Sequence, residues 1–209
     1  MFAADECPDT SVFDGTWQIR KKANGLLAAE IDFIDNPCFR ERSAEREILG
    51  GGLPHNAVRK TDSAPKRSEL PAHLARLCDA ELLTAADERT LFRLMNYLKY
   101  RACAPLRRLD PDDPESQIVA QMESFLERAE EVRDRIIRAN MRLVISIVKK
   151  FVSPTFSFDE LLSDGIVILM NAVEKFDYDR GFRFSTYAYR SILRNAYRQV
   201  MERKKEMTR

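Results

Sequence analysis

The hydrophobic pattern predicts a long amphipathic helix from about Ser116 to Phe151. Apolar residues such as Ile136 and Val144 recur at the 3.6-residue period, and charged residues fill the opposite face. The segment "VSPT" ends this helix, because Pro154 cannot continue one.

Two further helices are predicted after that break. Ser157 can cap the first of them, and Glu160 three residues later completes the sequence of a capping box. The turn "DYDRG" ends this helix, with Gly181 suited to a left-handed conformation. The last predicted helix continues to about Val200, with Ser185 as its cap.

An additional helix is predicted upstream, beginning at Thr84, with Asp87 in the third position after the cap. Residues 48–69 contain three consecutive glycines and no period, so they are interpreted as a linker. No strand pattern is found, and the chain is predicted to be all-α. The predicted divisions are an N-terminal extension and linker, largely irregular and partly disordered (1–69), a helical segment (70–103), a second linker (104–117) and a C-terminal helical domain (118–209).

Composition excludes several classes of function. Cys7, Cys38, Cys78 and Cys103 are widely spaced, and the two histidines are isolated, so no zinc site, disulfide framework or nucleophilic triad is predicted. No glycine-rich phosphate loop is found, and we expect neither an enzymatic activity nor a cofactor. No apolar run is long enough for a membrane span and no signal peptide is recognisable, so a cytoplasmic protein without membrane contact is expected.

Charge is distributed unevenly along the chain. The formal net charge is +1, but residues 176–209 carry nine Lys/Arg against four Asp/Glu, whereas the preceding 175 residues carry 25 against 29. A basic end on a mildly acidic body indicates a polyanionic partner for that end.

The basic end interleaves arginines with aromatic residues. Arg190, Arg194 and Arg198 recur every four residues and therefore share one helix face, which suits a line of phosphates. A solvated face with acidic partners is the alternative. Aromatic residues precede this face, and rings beside arginines can stack on unpaired bases, which favours single-stranded nucleic acid over duplex. These rings are Phe182, Phe184, Tyr187 and Tyr189, and Phe176 and Phe184 are the candidates for core positions.

The segment Arg138–Arg198 contains, in this order, the pieces "RANMRLVISIVKK", "FDELLSDG" and "LMNAVEKFDYDRGFRFSTYA". In their order and spacing these pieces resemble region 2 of the sigma-70 family of bacterial RNA polymerase sigma factors. Upstream, "ELLT" and its surroundings resemble region 1.2. The resemblance implies a region 2-type helical bundle, preceded by a helical region 1.2, that binds core polymerase and recognises and melts the −10 promoter element.

Roles for individual residues follow from the same resemblance. Glu160, Ser163 and Asp164 match the face that docks on the coiled coil of the polymerase β′ subunit. In the family, a flipped adenine of the −10 non-template strand is held against the aromatic at the Tyr187 position. One set of residues matches the positions that melt and read the −10 element, namely Phe176, Arg180, Phe182, Phe184, Thr186 and Tyr187. A second set matches a pocket for a flipped thymine, namely Asn140, Arg142, Leu143 and Ser146, of which Leu143 could equally belong to the core.

The sequence also departs from the family pattern. Arg190 and Ser191 replace a tryptophan pair that wedges the edge of the DNA bubble, with Tyr189 as a candidate substitute. Arg194 and Tyr197 replace residues that recognise the duplex just upstream. Regions 3 and 4 are not found, so a fragment, or a protein that works without −35 contacts, is expected. A truncated polymerase-binding regulator that does not initiate and a single-strand-binding module are the alternatives, and an anti-sigma factor is a further candidate partner.

Overall fold

The computed structural model describes residues 10–28, 30–51, 80–108 and 116–207. Apart from one isolated bridge between Ser153 and Phe156, the regular elements in these ranges are helices, which confirms the all-α prediction. The α-helices are α1 (Thr10–Ala28), α2 (Ala44–Gly50), α3 (Ala85–Cys103), α4 (Ser116–Val148), α5 (Phe158–Lys175) and α6 (Phe184–Met207). Short 3-10 helices span Pro37–Arg40, Pro105–Arg108 and Tyr178–Arg180.

The core lies around α4, which packs against α3, α5 and α6. Its predicted apolar stripe is buried, with Ile136, Val144 and Ile147 fully enclosed. α5 approaches α4 closely at Gly165, where an added Cβ would lie 2.7 Å from Cγ1 of Val144. The two helices therefore meet with almost no space between them at this point.

Most predicted helix termini are found in the structure. Thr84 and Asp87 form a reciprocal capping box at the start of α3, and Gly181 has a φ of 76° in the left-handed region. At α5, Ser157 Oγ accepts a hydrogen bond from the Glu160 amide at 3.2 Å. Among the described residues the reciprocal bond from the Glu160 side chain is not formed, and that carboxylate instead lies 3.6 Å from Arg203.

Helix α3 shares the core of α4–α6. Leu91, Phe92 and Met95 are fully buried in the same cluster as the α4 residues. Lys99 of α3 forms an ion pair with Glu174 of α5, which also lies 3.6 Å from Arg133 of α4. The division between residues 70–103 and 118–209 stays a prediction, but the described parts of both segments pack on each other.

The N-terminal extension is more helical than its sequence indicated. α1 buries Ala23 against Val119 and Met122 of α4, and Lys22 forms an ion pair with Glu123 at 2.9 Å. Because the contact of α1 with α4 uses few apolar residues, it leaves no sustained helical period of hydrophobic residues in the sequence. The expectation of a largely irregular extension was therefore wrong for this segment.

Residues 30–51, here called the N-terminal strap, run across α3. Phe39, Ala44 and Ile48 of the strap are buried in the main cluster, and α2 occupies the first residues of the predicted linker 48–69. The rest of that linker lies outside the described residues. None of the helices in the described ranges has the length and apolar character needed to cross a membrane.

Candidate nucleic-acid interface

A cleft of about 460 Å³ opens between the end of α5 and the first turns of α6. Six of the predicted nucleic-acid-binding residues line it, and Ile34, Lys175 and Asp177 complete the wall. The six are Phe176, Arg180, Phe182, Thr186, Tyr187 and Arg190. The structure thus gathers rings and guanidinium groups around one opening.

The aromatic side chains of this region divide into a buried and an exposed set. Phe176 and Phe184 are 6% and 0% exposed, which confirms both as core residues. Phe182 and Tyr187 are 72% and 37% exposed at the cleft. Phe184 has no surface with which to contact a nucleic acid, so its predicted direct contact is corrected here to a supporting position beneath the cleft.

The buried rings form a scaffold for the exposed ones. Phe92 of α3 lies 4.9 Å from Phe176 and 5.0 Å from Phe184 between ring centroids. Phe176 in turn lies 5.6 Å from Tyr187. Because packed aromatic rings restrict each other's orientation, this cluster fixes the direction of Tyr187.

The turn before α6 presents Arg180 to solvent. Asp177 accepts a hydrogen bond from the Asp179 amide at 3.1 Å and pairs with Nε of Arg180 at 2.9 Å. The Arg180 side chain is 73% exposed. An exposed ion pair of this kind contributes little to stability, so the guanidinium is available to a phosphate.

Arg183 points the other way and belongs to the fold. Its guanidinium donates two hydrogen bonds of 3.0 Å to the Glu88 carboxylate of α3, and Glu88 also accepts from the Phe184 amide at 3.4 Å. The hydrogen bonds with Glu88 raise the pKa of Arg183, although burial acts in the opposite direction. This contact joins α3 to the start of α6.

The predicted arginine face of α6 is exposed. Arg198 donates to the Asn195 side chain at 2.7 Å. Within the described part of the chain, Arg190 and Arg194 have no acidic partner, which favours a phosphate-binding face over a paired one. Tyr189, 37% exposed, lies outside the cleft and lines a neighbouring groove of about 730 Å³ with Tyr197.

The four residues of the second predicted pocket lie on α4. Asn140 is 8% exposed and donates to the Ile136 carbonyl at 2.8 Å. Ser146 is exposed, but its hydroxyl donates to the Leu143 carbonyl at 2.7 Å. Arg142 and Leu143 are half-buried on the same helix, and Leu143 packs against the core.

A separate acidic groove of about 640 Å³ lies between the start of α5 and the end of α6. All three predicted docking residues line it and are exposed, namely Glu160, Ser163 and Asp164. Its lining contains five carboxylates and one guanidinium, that of Arg203. Asp164 accepts a hydrogen bond from Gln199, so this carboxylate also has a local partner.

Several residues that line the cleft or support it from beneath were not identified from the sequence. Glu88 and Phe92 lie on the buried face of α3. A charged residue such as Glu88, at helical spacing from apolar residues, is a signal for a buried ion-pair partner. Asn96 within the apolar run "LMNYL" gave a similar indication. No pattern in the sequence indicated that Ile34 lines the cleft. The residues that the structure describes contain no cluster of metal-ligating side chains.

The sequence of this chain is similar to those of known sigma factors. Residues 136–206 match the family model for sigma-70 region 2. RNA polymerase sigma factor SigA of Nostoc sp. is 30% identical over 164 residues, which cover 72% of this chain and 42% of the relative. SigA1 of Synechococcus elongatus is 32% identical over 171 residues, covering 77% and 41%. SigA of Synechocystis sp. is 44% identical over 64 residues. The chain spans about two fifths of the length of the first two relatives.

Proposed function

We propose, from the match of residues 136–206 to the family model for sigma-70 region 2, that the chain acts as a sigma factor or its N-terminal part. In this proposal it binds core RNA polymerase and recognises and melts the −10 element of promoter DNA. The observation that carries the proposal is the cleft at the start of α6, where exposed rings and arginines surround one opening.

The cleft has the chemistry needed to hold an extruded base. Flipping a base out of a duplex costs a few kcal/mol of stacking and pairing. Stacking on an aromatic side chain returns about 1–3 kcal/mol per base. Tyr187 and Phe182 offer exposed ring surface for this purpose, and Arg180 and Arg190 lie beside them to bind the phosphates of the displaced strand.

The acidic groove is the proposed contact with polymerase. Its excess of carboxylates is complementary to a basic helical surface, which the β′ coiled coil is expected to present. The groove and the cleft have no lining residue in common, so polymerase and DNA can be bound at the same time.

The first test is binding to purified core RNA polymerase. We expect Glu160→Arg with Asp164→Arg to weaken binding about tenfold or more, because both exposed carboxylates of the groove change sign. Glu127→Arg with Glu130→Arg is the matched control, since both are exposed acids of α4 outside the groove. Equal binding by the two double variants would contradict docking at the groove.

The second test is promoter opening by the complex with core polymerase. Reactivity of unpaired thymines to permanganate should appear in the −10 element with the wild-type chain and decrease with Phe182→Ala plus Tyr187→Ala. Polymerase binding without opening would support the alternative of a non-initiating regulator. A chain that binds any single strand equally, without polymerase, would support a general single-strand-binding module.

A further inference from the structure

The N-terminal strap contributes one wall of the cleft. Ile34 is half-buried and lines the opening together with Phe182 and Tyr187. It lies more than 100 residues before the segment that matches sigma-70 region 2. The cleft is therefore completed by a part of the chain to which the family match assigns no role.

A buried polar side chain fixes the position of Ile34. The Ile34 amide donates to Oδ1 of Asn96 at 2.7 Å, and Nδ2 of Asn96 donates to the Phe92 carbonyl at 2.8 Å. Asn96 is 1% exposed, so both bonds are shielded from water. The strap is thus held on α3 beside the ring that anchors the aromatic scaffold.

Asn36 joins the strap to the turn before α6. Its Nδ2 donates to Oη of Tyr178 at 3.2 Å and to the Asp179 carboxylate, and its Oδ1 accepts from the Cys38 amide at 3.0 Å. Tyr178 is 3% exposed. A single amide therefore connects the strap to the turn whose next residue is Arg180.

We propose that the strap is a base-contacting wall of the cleft: Ile34 contacts the extruded base, and Asn36 is a positioning residue that holds the turn carrying Arg180. This proposal rests on the proposed −10 function and extends it. An aliphatic side chain offers van der Waals contact and no hydrogen bond. It therefore favours a base over an empty position without competing for the polar edge of that base.

The test compares two strands bound by the full chain. Fluorescence anisotropy gives the affinity for a −10-like non-template oligonucleotide and for the same strand with an abasic site in place of the extruded adenine. The ratio of these affinities measures contact with the base. We expect Ile34→Ala to lower that ratio about fivefold or more, because it removes an apolar contact from a pocket.

Matched variants separate contact from folding. Leu49→Ala removes apolar volume from the strap where it packs on the core, outside the cleft, and should leave the ratio unchanged. Ile34→Val removes one methyl group and keeps the branched shape, so it should lower the ratio by a smaller factor than Ile34→Ala, which provides a readout should Ile34→Ala unfold. Thermal unfolding of each variant reports stability separately.

Asn36→Asp tests the positioning role. It keeps the oxygen that caps Cys38 but replaces the donor to Asp179 with a second carboxylate oxygen, so repulsion from Asp179 weakens the link to the turn. The affinities for both strands should fall by a similar factor, because the turn carries the phosphate-binding Arg180, whereas a residue that merely caps the 3-10 helix would leave both affinities unchanged.

The outcomes distinguish the two proposals. If the wild-type chain binds the intact and abasic strands equally, the proposed −10 function fails. If the wild type discriminates and both Ile34 variants keep the full ratio, the strap is not a wall of the site, although the −10 function stands.

Discussion

The contact between Arg183 and Glu88 permits a quantitative test of how α3 supports the cleft. The carboxylate of Glu88 is 9% exposed, while the Arg183 side chain is 51% exposed. This asymmetry predicts different costs for the two truncations. Arg183→Ala leaves a buried carboxylate without its guanidinium, whereas Glu88→Ala leaves a guanidinium that water can reach.

The magnitude follows from the hydrogen bonds lost. A hydrogen bond to a charged group is worth about 1.5–3 kcal/mol, and breaking a fully buried pair costs about 3–5 kcal/mol. Because half of Arg183 is solvated, we expect Arg183→Ala to lower the free energy of unfolding by about 2–3 kcal/mol. Glu88→Ala should cost about 1–2 kcal/mol, and the coupling energy of the pair should be about 1 kcal/mol or more.

Urea unfolding followed by circular dichroism measures these free energies in a double-mutant cycle. The control cycle uses Asp134 and Arg138 of α4, a pair 3.6 Å apart with side chains 48% and 72% exposed. That exposed pair should couple by about 0.5 kcal/mol or less. Equal coupling energies in the two cycles, or a larger loss for Glu88→Ala than for Arg183→Ala, would refute the reasoning.

Three further variants test the packing and the cleft. Gly165→Ala should lower the free energy of unfolding by about 1–3 kcal/mol, because the new Cβ would lie 2.7 Å from Val144; an unchanged urea midpoint would contradict this close approach. Gly181→Ala should lower the free energy of unfolding by about 1–2 kcal/mol in the same assay, because a φ of 76° is unfavourable for alanine. No neighbouring atom would clash with the added Cβ, so the backbone conformation is the only source of this cost. Phe182→Ala should change the free energy of unfolding by less than about 0.5 kcal/mol, because the ring is 72% exposed. The same variant should weaken single-strand binding about tenfold in anisotropy measurements. A large loss of stability with unchanged binding would assign the ring to the fold.

The elements that were predicted correctly depend on local patterns. The stripe of α4 repeats within one helix, and the cap at Thr84 involves a residue three positions away. The left-handed Gly181 follows from the residue type and its place after a helix. Such patterns are complete within a few residues, so a sequence reveals them directly.

The contacts that complete the cleft are distant in sequence. Arg183 and Glu88 are 95 residues apart, and Asn36 and Tyr178 are 142 residues apart. Composition marks these side chains as polar but does not say which partner each will meet. An asparagine in an apolar run, such as Asn96, needs a hydrogen-bond partner when it is buried, but only the fold identifies the Ile34 amide as that partner.

The alternation of rings and arginines before α6 follows from the different surroundings of three consecutive residues between the 3-10 helix Tyr178–Arg180 and α6. Phe182 faces solvent at the cleft, Arg183 reaches back to Glu88, and Phe184 enters the core under the first turn of α6. A buried surface would exclude the arginines and a solvated one would exclude the rings, whereas this segment must both anchor α6 and present a ring beside Arg180. The mixture of rings and arginines in this segment is what these two tasks require.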